Sequence, residues 1–343
     1  GGVGATGNDA ANALAATADV VIGIGTRYTD FTTASHTVFA DPNVAFVNLN
    51  VAAFDAAKHG AHMVVADART GLTALTQALA GWETEAAYRE EITARVADWQ
   101  RVTNECYHLG HGPLPAQTEV FGALNELMGA EDILINAAGS MPGDLQALWR
   151  ASTPVQYHLE YGFSCMGYEI PAALGAKLAS PESEVVAIVG DGTYQMLPQE
   201  IATIVSEGVK VILVLLDNGG YASIGALSES RGSQRFGTTY FSRNAATRSL
   251  DGAPPAIDLA ANAASMGAKV LTPSGIEEFR EAYAQAVASD VTTLIHIRTD
   301  LTGPNPPGSA WWDVPVAEVS TLASTQRARQ EYLEALPAQR PYL

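Results

Sequence analysis

The stretch Val185-Val186-Ala187-Ile188-Val189-Gly190-Asp191-Gly192-Thr193 decides the fold class of this chain. Its first five residues are aliphatic without interruption, and such a run is typical of a strand buried on both faces of a parallel sheet. A second run, Val211–Leu216, has the same character and is followed by Asp217-Asn218-Gly219-Gly220-Tyr221. Because parallel strands need crossover connections, usually helices, we predict an α/β domain around this stretch.

The same alternation continues in both directions from this stretch. We predict further buried strands at 20–24, 44–49, 133–135 and 294–297, and helices at 8–18, 71–79, 84–106, 197–207 and 321–336. Strand–helix alternation in two blocks predicts an α/β fold with two doubly wound parallel-sheet domains. The predicted boundaries are a first domain at 1–82, a helical linker at 83–115, a second domain at 116–302 and a tail at 303–343.

The charge balance restricts the partners of the chain. Its 343 residues include 19 Lys and Arg against 37 Asp and Glu, and the resulting net charge of −18 is repelled by nucleic acid and by anionic membranes. The aliphatic runs are too short to cross a bilayer, and no signal peptide is visible. Two cysteines cannot build a disulfide framework, which favours a reducing compartment. We therefore expect a cytoplasmic protein that binds a small molecule, with no nucleic acid and no membrane as partner.

Polar residues follow the two central aliphatic runs at the point where each run ends. Asp191 follows the first run, and Asn218 follows the second, 27 residues further on. The carboxyl ends of adjacent parallel strands meet at one edge of a sheet, where open α/β sheets bind ligands. A carboxylate, an amide oxygen and a backbone carbonyl of the loop are hard ligands that suit Mg²⁺, and nearby glycines let backbone N–H groups approach a diphosphate. Two ordinary strand-end turns are the alternative interpretation, but the pairing of the two motifs favours a metal site.

A second glycine pattern near the start of the chain carries a weaker signal. Gly2-Val3-Gly4-Ala5-Thr6-Gly7 matches G-x-G-x-x-G, but the dinucleotide fingerprint requires a strand directly before it, and none is visible. We therefore interpret this stretch as a plain glycine-rich loop. A binding module without catalysis, built on this loop, is the alternative.

G-D-G at Asp191 with a following Asn218, each after a buried strand, is the signature of the thiamine diphosphate enzymes, which this chain resembles. The stretch 160–176, where a glycine-rich turn ends in Met166-Gly167 before a Pro-Ala-Ala helix, is similar to the acetolactate synthase and pyruvate oxidase branch. The resemblance implies that Met166 supports the bent cofactor and that the Ser164 carbonyl accepts from its aminopyrimidine amine. The first block resembles the central domain of that branch, so 1–82 would be a partial central domain and 116–302 the diphosphate-binding domain.

The resemblance also assigns a set of residues to the cofactors. Thiamine diphosphate would be bound by Ser140, Ser164, Met166, Gly190, Asp191, Gly192, Thr193, Asn218, Gly220 and Tyr221, and Mg²⁺ would be held by Asp191, Asn218 and Gly220. His158 and Glu160 come directly before the cofactor turn. We expect them to contact substrate, because residues at strand ends beside a site often do; capping of the strand end is the alternative.

Four stretches resemble, more narrowly, a hydrolytic subfamily that opens a trihydroxylated cyclic 1,2-dione in myo-inositol degradation; they lie at 25–35, 138–145, 157–169 and 311–319. This resemblance implies hydrolytic cleavage of a ring C–C bond to give 5-deoxy-glucuronate, with an acetolactate synthase-like lyase or synthase as the alternative.

In this family the glutamate that forms the reactive ylid lies in an amino-terminal domain, usually of a partner subunit in a homodimer or homotetramer. The sequence begins without Met inside a glycine loop, so we expect that domain to be missing, no catalytic residue in these 343 residues, and no activity of the chain alone.

Overall fold

The computed structural model describes residues 1–308 and 310–340, and the chain divides into two compact units. The first unit comprises Gly1–Thr103 with Pro306–Leu343, and the second comprises Asn104–Asn305. Residues 309 and 341–343, which belong to the predicted tail, lie outside the described residues. Both units contain a parallel sheet, so the predicted α/β class with two parallel sheets is confirmed.

Nine strands form the two sheets within the described part of the chain. They are β1 (Val20–Ile24), β2 (Ala45–Asn50), β3 (His62–Val65), β4 (Ile133–Asn136), β5 (Tyr157–Leu159), β6 (Val185–Gly190), β7 (Ile212–Asp217), β8 (Lys269–Leu271) and β9 (Thr293–Arg298). The first unit has the order β1-β2-β3, and the second has the order β5-β4-β6-β7-β9-β8. All strand pairs are parallel.

The helices connect these strands. They are α1 (Asp9–Ala16), α2 (Asp30–Thr33), α3 (Ala53–Ala57), α4 (Ala68–Ala78), α5 (Ala86–Tyr107), α6 (Gln117–Leu127), α7 (Met141–Leu148), α8 (Glu169–Ala179), α9 (Asp191–Tyr194), α10 (Glu200–Ser206), α11 (Ala222–Ser230), α12 (Leu259–Ser265), α13 (Ile276–Val287) and α14 (Ala323–Ala335). Short 3₁₀ helices cover Lys58–Gly60 and Leu336–Ala338. The predicted linker helix is present as α5, and the boundary between the two units falls near its end, after Thr103.

Burial explains why the central strands of the second sheet are aliphatic at every position. Val185–Val189 of β6 and Ile212–Leu215 of β7 have no exposed surface, because the sheet is covered on both faces. The prediction of burial on both faces is wrong for β1, since Val20, Ile22 and Ile24 are between 39% and 50% exposed and only the opposite face is covered.

The second sheet changes direction between β4 and β6. From β4 the chain moves outward to β5 and then returns past β4 to form β6, after which it builds the other half of the sheet. Connections that leave two neighbouring strands on opposite sides open a crevice at their carboxyl ends, which is where such sheets bind ligands. The residues that follow β4 and β6 are therefore brought to one place by the topology.

Three strands were not predicted from the sequence. β3, β5 and β8 are only three or four residues long and lie at sheet edges, where the aliphatic signal is weak. The helix predicted at 197–207 is present as α10, which begins at Glu200, and a single helical turn, α9, precedes it directly after Gly190. Within the described residues, no helix combines the length and apolar character needed to cross a bilayer.

Candidate active site

A cavity of about 260 Å³ opens at the switch point of the second sheet. The residues predicted to bind the cofactor all line it: Ser140, Ser164, Met166, Gly190, Asp191, Gly192, Thr193, Asn218, Gly220 and Tyr221. Other residues around it are Gln117, Ala138, Gly139, Met141, Leu216, Ala222, Ser223 and Ile224. The structure thus gathers in one cavity predicted residues that are separated by up to 81 positions in the sequence; that these residues bind thiamine diphosphate stays a prediction.

Asp191 stands directly after β6 and is 2% exposed. One oxygen, Oδ1, accepts from the backbone N–H of Gly192, and the other, Oδ2, accepts from the N–H of Gly219, both at 2.8 Å. Burial, together with the nearby negative charge of Asp217, raises the pKa of Asp191 to about 7. A buried carboxylate beside a second carboxylate is stabilised when a cation binds between or beside them.

Asn218 begins the loop that follows β7. Its Oδ1 accepts from the N–H of Gly220 at 3.1 Å, so the side chain shapes the loop from within. The loop is also fixed from outside, since the N–H of Tyr221 donates to the Thr238 carbonyl at 2.7 Å and a bridge joins Gly220 to Thr239. A Cβ at Gly220 would lie 2.4 Å from that Thr238 oxygen, so the close approach of the two segments requires glycine here.

The wall after β4 is held by a buried carboxylate. Gly139 has a φ of +97°, and before it the N–H of Ala138 donates to Oε1 of Glu169 at 3.0 Å. Glu169 has no exposed surface, and burial raises its pKa to about 7. On the other side of the wall, the Ser140 hydroxyl donates to Oε1 of Gln117 at 3.0 Å. The glutamate and the glutamine are site residues that the sequence did not indicate.

The turn between β5 and α8 carries Ser164 and Met166 to the cavity. Ser164 lies in the left-handed region, with a φ of +52°, and its hydroxyl donates to the Ala137 carbonyl at 2.9 Å. Glu160 accepts from the backbone N–H groups of Phe163 and Cys165, both at 3.0 Å, and these bonds lower the pKa of its carboxyl. Met166 is 40% exposed, so a large apolar side chain borders the opening.

The two residues predicted to contact substrate are not part of the cavity wall. Glu160 is occupied by the amides of its own turn, which agrees with a capping role. Nε2 of His158 lies 2.7 Å from the hydroxyl of Tyr168, and the two rings stack. Contact of either residue with substrate remains a prediction.

The oxygen atoms around the cavity are suitable ligands for the magnesium ion of a magnesium diphosphate. Each oxygen of Asp191 accepts one N–H, and a carboxylate oxygen has room for a second partner, so a cation can still coordinate. Among residues 1–308 and 310–340, no group of three or more His, Cys, Asp and Glu side chains could hold a metal ion. A cation here would therefore use one carboxylate, the Asn218 amide, the Gly220 carbonyl and the oxygens of the diphosphate itself.

The glycine-rich loop of the first unit has the opposite character. A Cβ at Gly4 would lie 1.9 Å from the Phe31 carbonyl oxygen, and one at Gly7 would lie 2.6 Å from that of Gly2. The N-terminus of α1 is capped by the Asn8 side chain, which accepts from the N–H of Ala11. These glycines serve close packing within the chain, as the plain-loop interpretation expects.

Comparison with known proteins agrees with this geometry. Residues 137–297 match the C-terminal TPP binding domain of thiamine pyrophosphate enzymes, and residues 1–75 match the central domain of the same enzymes. The chain belongs to the thiamine pyrophosphate enzyme family.

The chain is also similar over its whole length to individual named enzymes. Over 366 aligned positions the chain is 42% identical to 3D-(3,5/4)-trihydroxycyclohexane-1,2-dione hydrolase 2 of Bacillus cereus. It is 41% identical to the hydrolase of that name from Bacillus anthracis and 40% identical to the one from Bacillus thuringiensis. Each comparison covers the whole of this chain but 57% of the relative, so the chain spans a little over half the length of the proteins it matches.

Proposed function

We propose that the chain forms the thiamine diphosphate- and Mg²⁺-binding part of a hydrolase that opens the ring of 3D-(3,5/4)-trihydroxycyclohexane-1,2-dione. The observation that carries this proposal is one cavity at the switch point, which all ten predicted residues line. The names of the relatives supply the substrate. Hydrolytic cleavage of a ring C–C bond would give 5-deoxy-glucuronate.

The residues of the cavity divide the work of binding. Asp191, Asn218 and the Gly220 carbonyl would hold Mg²⁺, which in turn binds the diphosphate. Gly190 keeps the wall after β6 open to that group, and Gly192 leaves room for the side chains of Tyr221 and Tyr240. Met166 adds an apolar side chain to the cavity wall. When bound, thiamine diphosphate supplies a carbanion nucleophile and an electron sink for cleavage of a C–C bond next to a carbonyl.

Calorimetric titration of thiamine diphosphate in the presence of Mg²⁺ tests the binding half of the proposal. We expect saturable binding to the chain, and Asp191→Ala should weaken it by about 100-fold or more because the only charged ligand is lost. Asp290→Ala is a matched control, since this aspartate is exposed and lies in the loop before β9. Equal binding by wild type and Asp191→Ala would disprove the metal assignment.

The substrate is tested in a chimera in which this chain replaces the matched 57% of the Bacillus cereus relative. We expect the chimera to consume the cyclic dione and to release an open-chain deoxy-uronate, detected by mass spectrometry, and Asp191→Ala should abolish this activity. Condensation of pyruvate without consumption of the dione would instead support the acetolactate synthase-like alternative.

Location and assembly belong to the same proposal. We place the protein in the cytoplasm, supported by two cysteines that form no disulfide, one buried and one exposed. We also propose a homodimer or homotetramer, as the resemblance implies. Size-exclusion chromatography with light scattering on the chimera would measure the assembly.

A further inference from the structure

A second carboxylate lies beside the proposed magnesium ligand. Asp217 is the last residue of β7, directly before Asn218, and the parallel pairing of Gly190 with Leu216 places it beside Asp191 at the carboxyl ends of β6 and β7. It also begins the loop in which the N–H of Gly219 donates to Oδ2 of Asp191. Two carboxyl groups in contact repel each other when both are ionised, unless a cation or a proton lies with them. Asp217 therefore adds negative charge next to the proposed magnesium ligand.

The neighbouring strand holds this second carboxylate in place. Nε2 of His296, on β9, donates to Oδ2 of Asp217 at 3.0 Å, and the two side chains are only 16% and 23% exposed. Arg298, which pairs with Asp217 in the register of β7 and β9, adds a positive charge nearby. His296 thus fixes Asp217 at the start of the loop whose Gly219 N–H holds the Asp191 carboxylate.

We infer that Asp217, fixed by His296, is a positioning residue for the proposed cation, which orients the Asp191 carboxylate and adds negative charge behind it. This inference rests on the proposed magnesium site. The arrangement parallels metal sites in which a residue behind the ligand contributes to affinity, where its loss typically weakens metal binding about 10- to 100-fold. The same loss is expected here, although Asp217 itself would not touch the metal.

The test is the affinity of the chain for Mn²⁺, a paramagnetic substitute for Mg²⁺, measured by electron paramagnetic resonance with thiamine diphosphate present. We expect Asp217→Asn to weaken Mn²⁺ binding roughly 10- to 100-fold. His296→Phe, which removes the donor, should reproduce most of this loss, whereas His296→Gln, which keeps an N–H donor, should bind within about threefold of wild type.

Asp300→Asn is the matched control. Asp300 also pairs with a histidine, His111, at 2.9 Å, but it does not line the cofactor cavity. We expect no change in Mn²⁺ affinity from this variant. Thiamine diphosphate affinity at saturating Mn²⁺ should stay within about threefold of wild type in Asp217→Asn, because a positioning role acts on the metal rather than on the diphosphate contacts.

The outcomes separate this inference from the proposed function. If wild type binds no Mn²⁺, or Asp191→Ala binds it normally, the proposed site itself is wrong. If Asp191→Ala loses the metal while Asp217→Asn binds it as well as wild type, the site stands and the positioning role is overturned. If Asp217→Asn does not fold, equal affinities of His296→Phe and His296→Gln would also overturn the inference.

Discussion

Two glycine-rich loops in this chain lead into helices, and only one of them borders the cofactor cavity. The loop Gly2–Gly7 of the first unit precedes α1, and the loop Gly190–Thr193 of the second unit follows β6. The first is supported by neutral amides: Oδ1 of Asn12 accepts from the N–H of Gly4, and its Nδ2 donates to the carbonyl of the same residue. The polar groups of Gly4 are therefore satisfied within the chain.

The second loop is supported by carboxylates. Asp191 holds the amides of Gly192 and Gly219, and Glu169 holds the amide of Ala138 in the opposite wall. Burial raises the pKa of both acids, so their ionisation is costly in the free protein. A glycine motif thus indicates a ligand site only where glycine leaves open volume beside charged or polar groups that a ligand would satisfy.

The largest expected effect is a loss of stability when the loop Gly2–Gly7 is disrupted. Gly4 has a φ of +106°, and its Cβ position lies 1.9 Å from a backbone oxygen, so Gly4→Ala combines backbone strain with a clash that cannot be relieved by a rotamer. We expect the free energy of unfolding of the first unit to fall by about 3 kcal/mol. Tryptophan fluorescence in urea measures it, because Trp82, Trp99, Trp311 and Trp312 all belong to this unit.

The same variant should leave the second loop unaffected. Thiamine diphosphate affinity of the folded Gly4→Ala chain should equal that of wild type, and its stability loss should not vary between about pH 5 and pH 8, since the loop is held by amides that do not titrate there. A weakened cofactor affinity at unchanged stability would reverse the comparison and make the first loop a ligand site.

The second prediction concerns the charged support of the cavity wall. The native pKa of Glu169 is about 7 against an ordinary value of 4.5, so native protein retains a proton that the unfolded chain has lost between those pH values. Stability must therefore fall as pH rises through this window. Glu169→Gln keeps the acceptor for Ala138 but cannot ionise, and at pH 8 we expect it to be more stable than wild type by up to roughly 3 kcal/mol.

Thermal unfolding at several pH values, followed by circular dichroism, measures this difference. The gain should disappear near pH 4.5, where the unfolded chain also begins to bind the proton at Glu169. Asp144 and Asp191, whose pKa values are also raised, are present in both proteins and cancel in the difference. A gain that is the same at every pH would mean that Glu169 contributes through packing and not through its charge.

The third prediction concerns Gly190→Ala, which places a methyl group in the cavity and leaves the hydrogen bonds of the cavity wall intact. Gly190 has an extended backbone, and the nearest atom to its Cβ position is the flexible end of Met141 at 3.6 Å. Gly190→Ala should therefore change the free energy of unfolding by less than about 1 kcal/mol. A methyl group in the cavity should nevertheless weaken thiamine diphosphate binding about tenfold, measured by calorimetry with Mg²⁺. Unchanged affinity would place the diphosphate away from this loop.

The sequence allowed the buried strands and their polar ends to be predicted for a physical reason. β6 and β7 are covered on both faces, so every position must be apolar and the pattern is visible without knowledge of the fold. β3 could not be recognised in this way, because all four of its residues are exposed. Edge strands are selected by their pairing with a neighbour, which a local pattern does not record.

Some residues of the cavity walls could likewise be predicted from the sequence, and others could not. Asp191 and Asn218 were predictable because parallel strands bring their carboxyl ends together. Gln117 and Glu169 were not, because each acts on a backbone or hydroxyl group 23 or 31 residues away and starts a helix whose placement depends on tertiary packing. A single carboxylate at the start of the otherwise largely apolar helix α8 was the one local signal for Glu169.

The smallest expected effect concerns Glu160, a half-buried residue that supports the turn beside the cavity. It binds two amides of the turn that carries Ser164 and Met166, and a glutamine offers only one acceptor oxygen in its place. In Glu160→Gln we expect one of the two amides, that of Phe163 or that of Cys165, to exchange hydrogen about tenfold faster, because one hydrogen bond is lost. Glu182→Gln, an exposed glutamate between α8 and β6, is the control. Because the turn borders the cavity but is not held by burial, cofactor affinity should fall only a few-fold. A loss as large as that of Gly190→Ala would instead favour direct contact between Glu160 and a ligand.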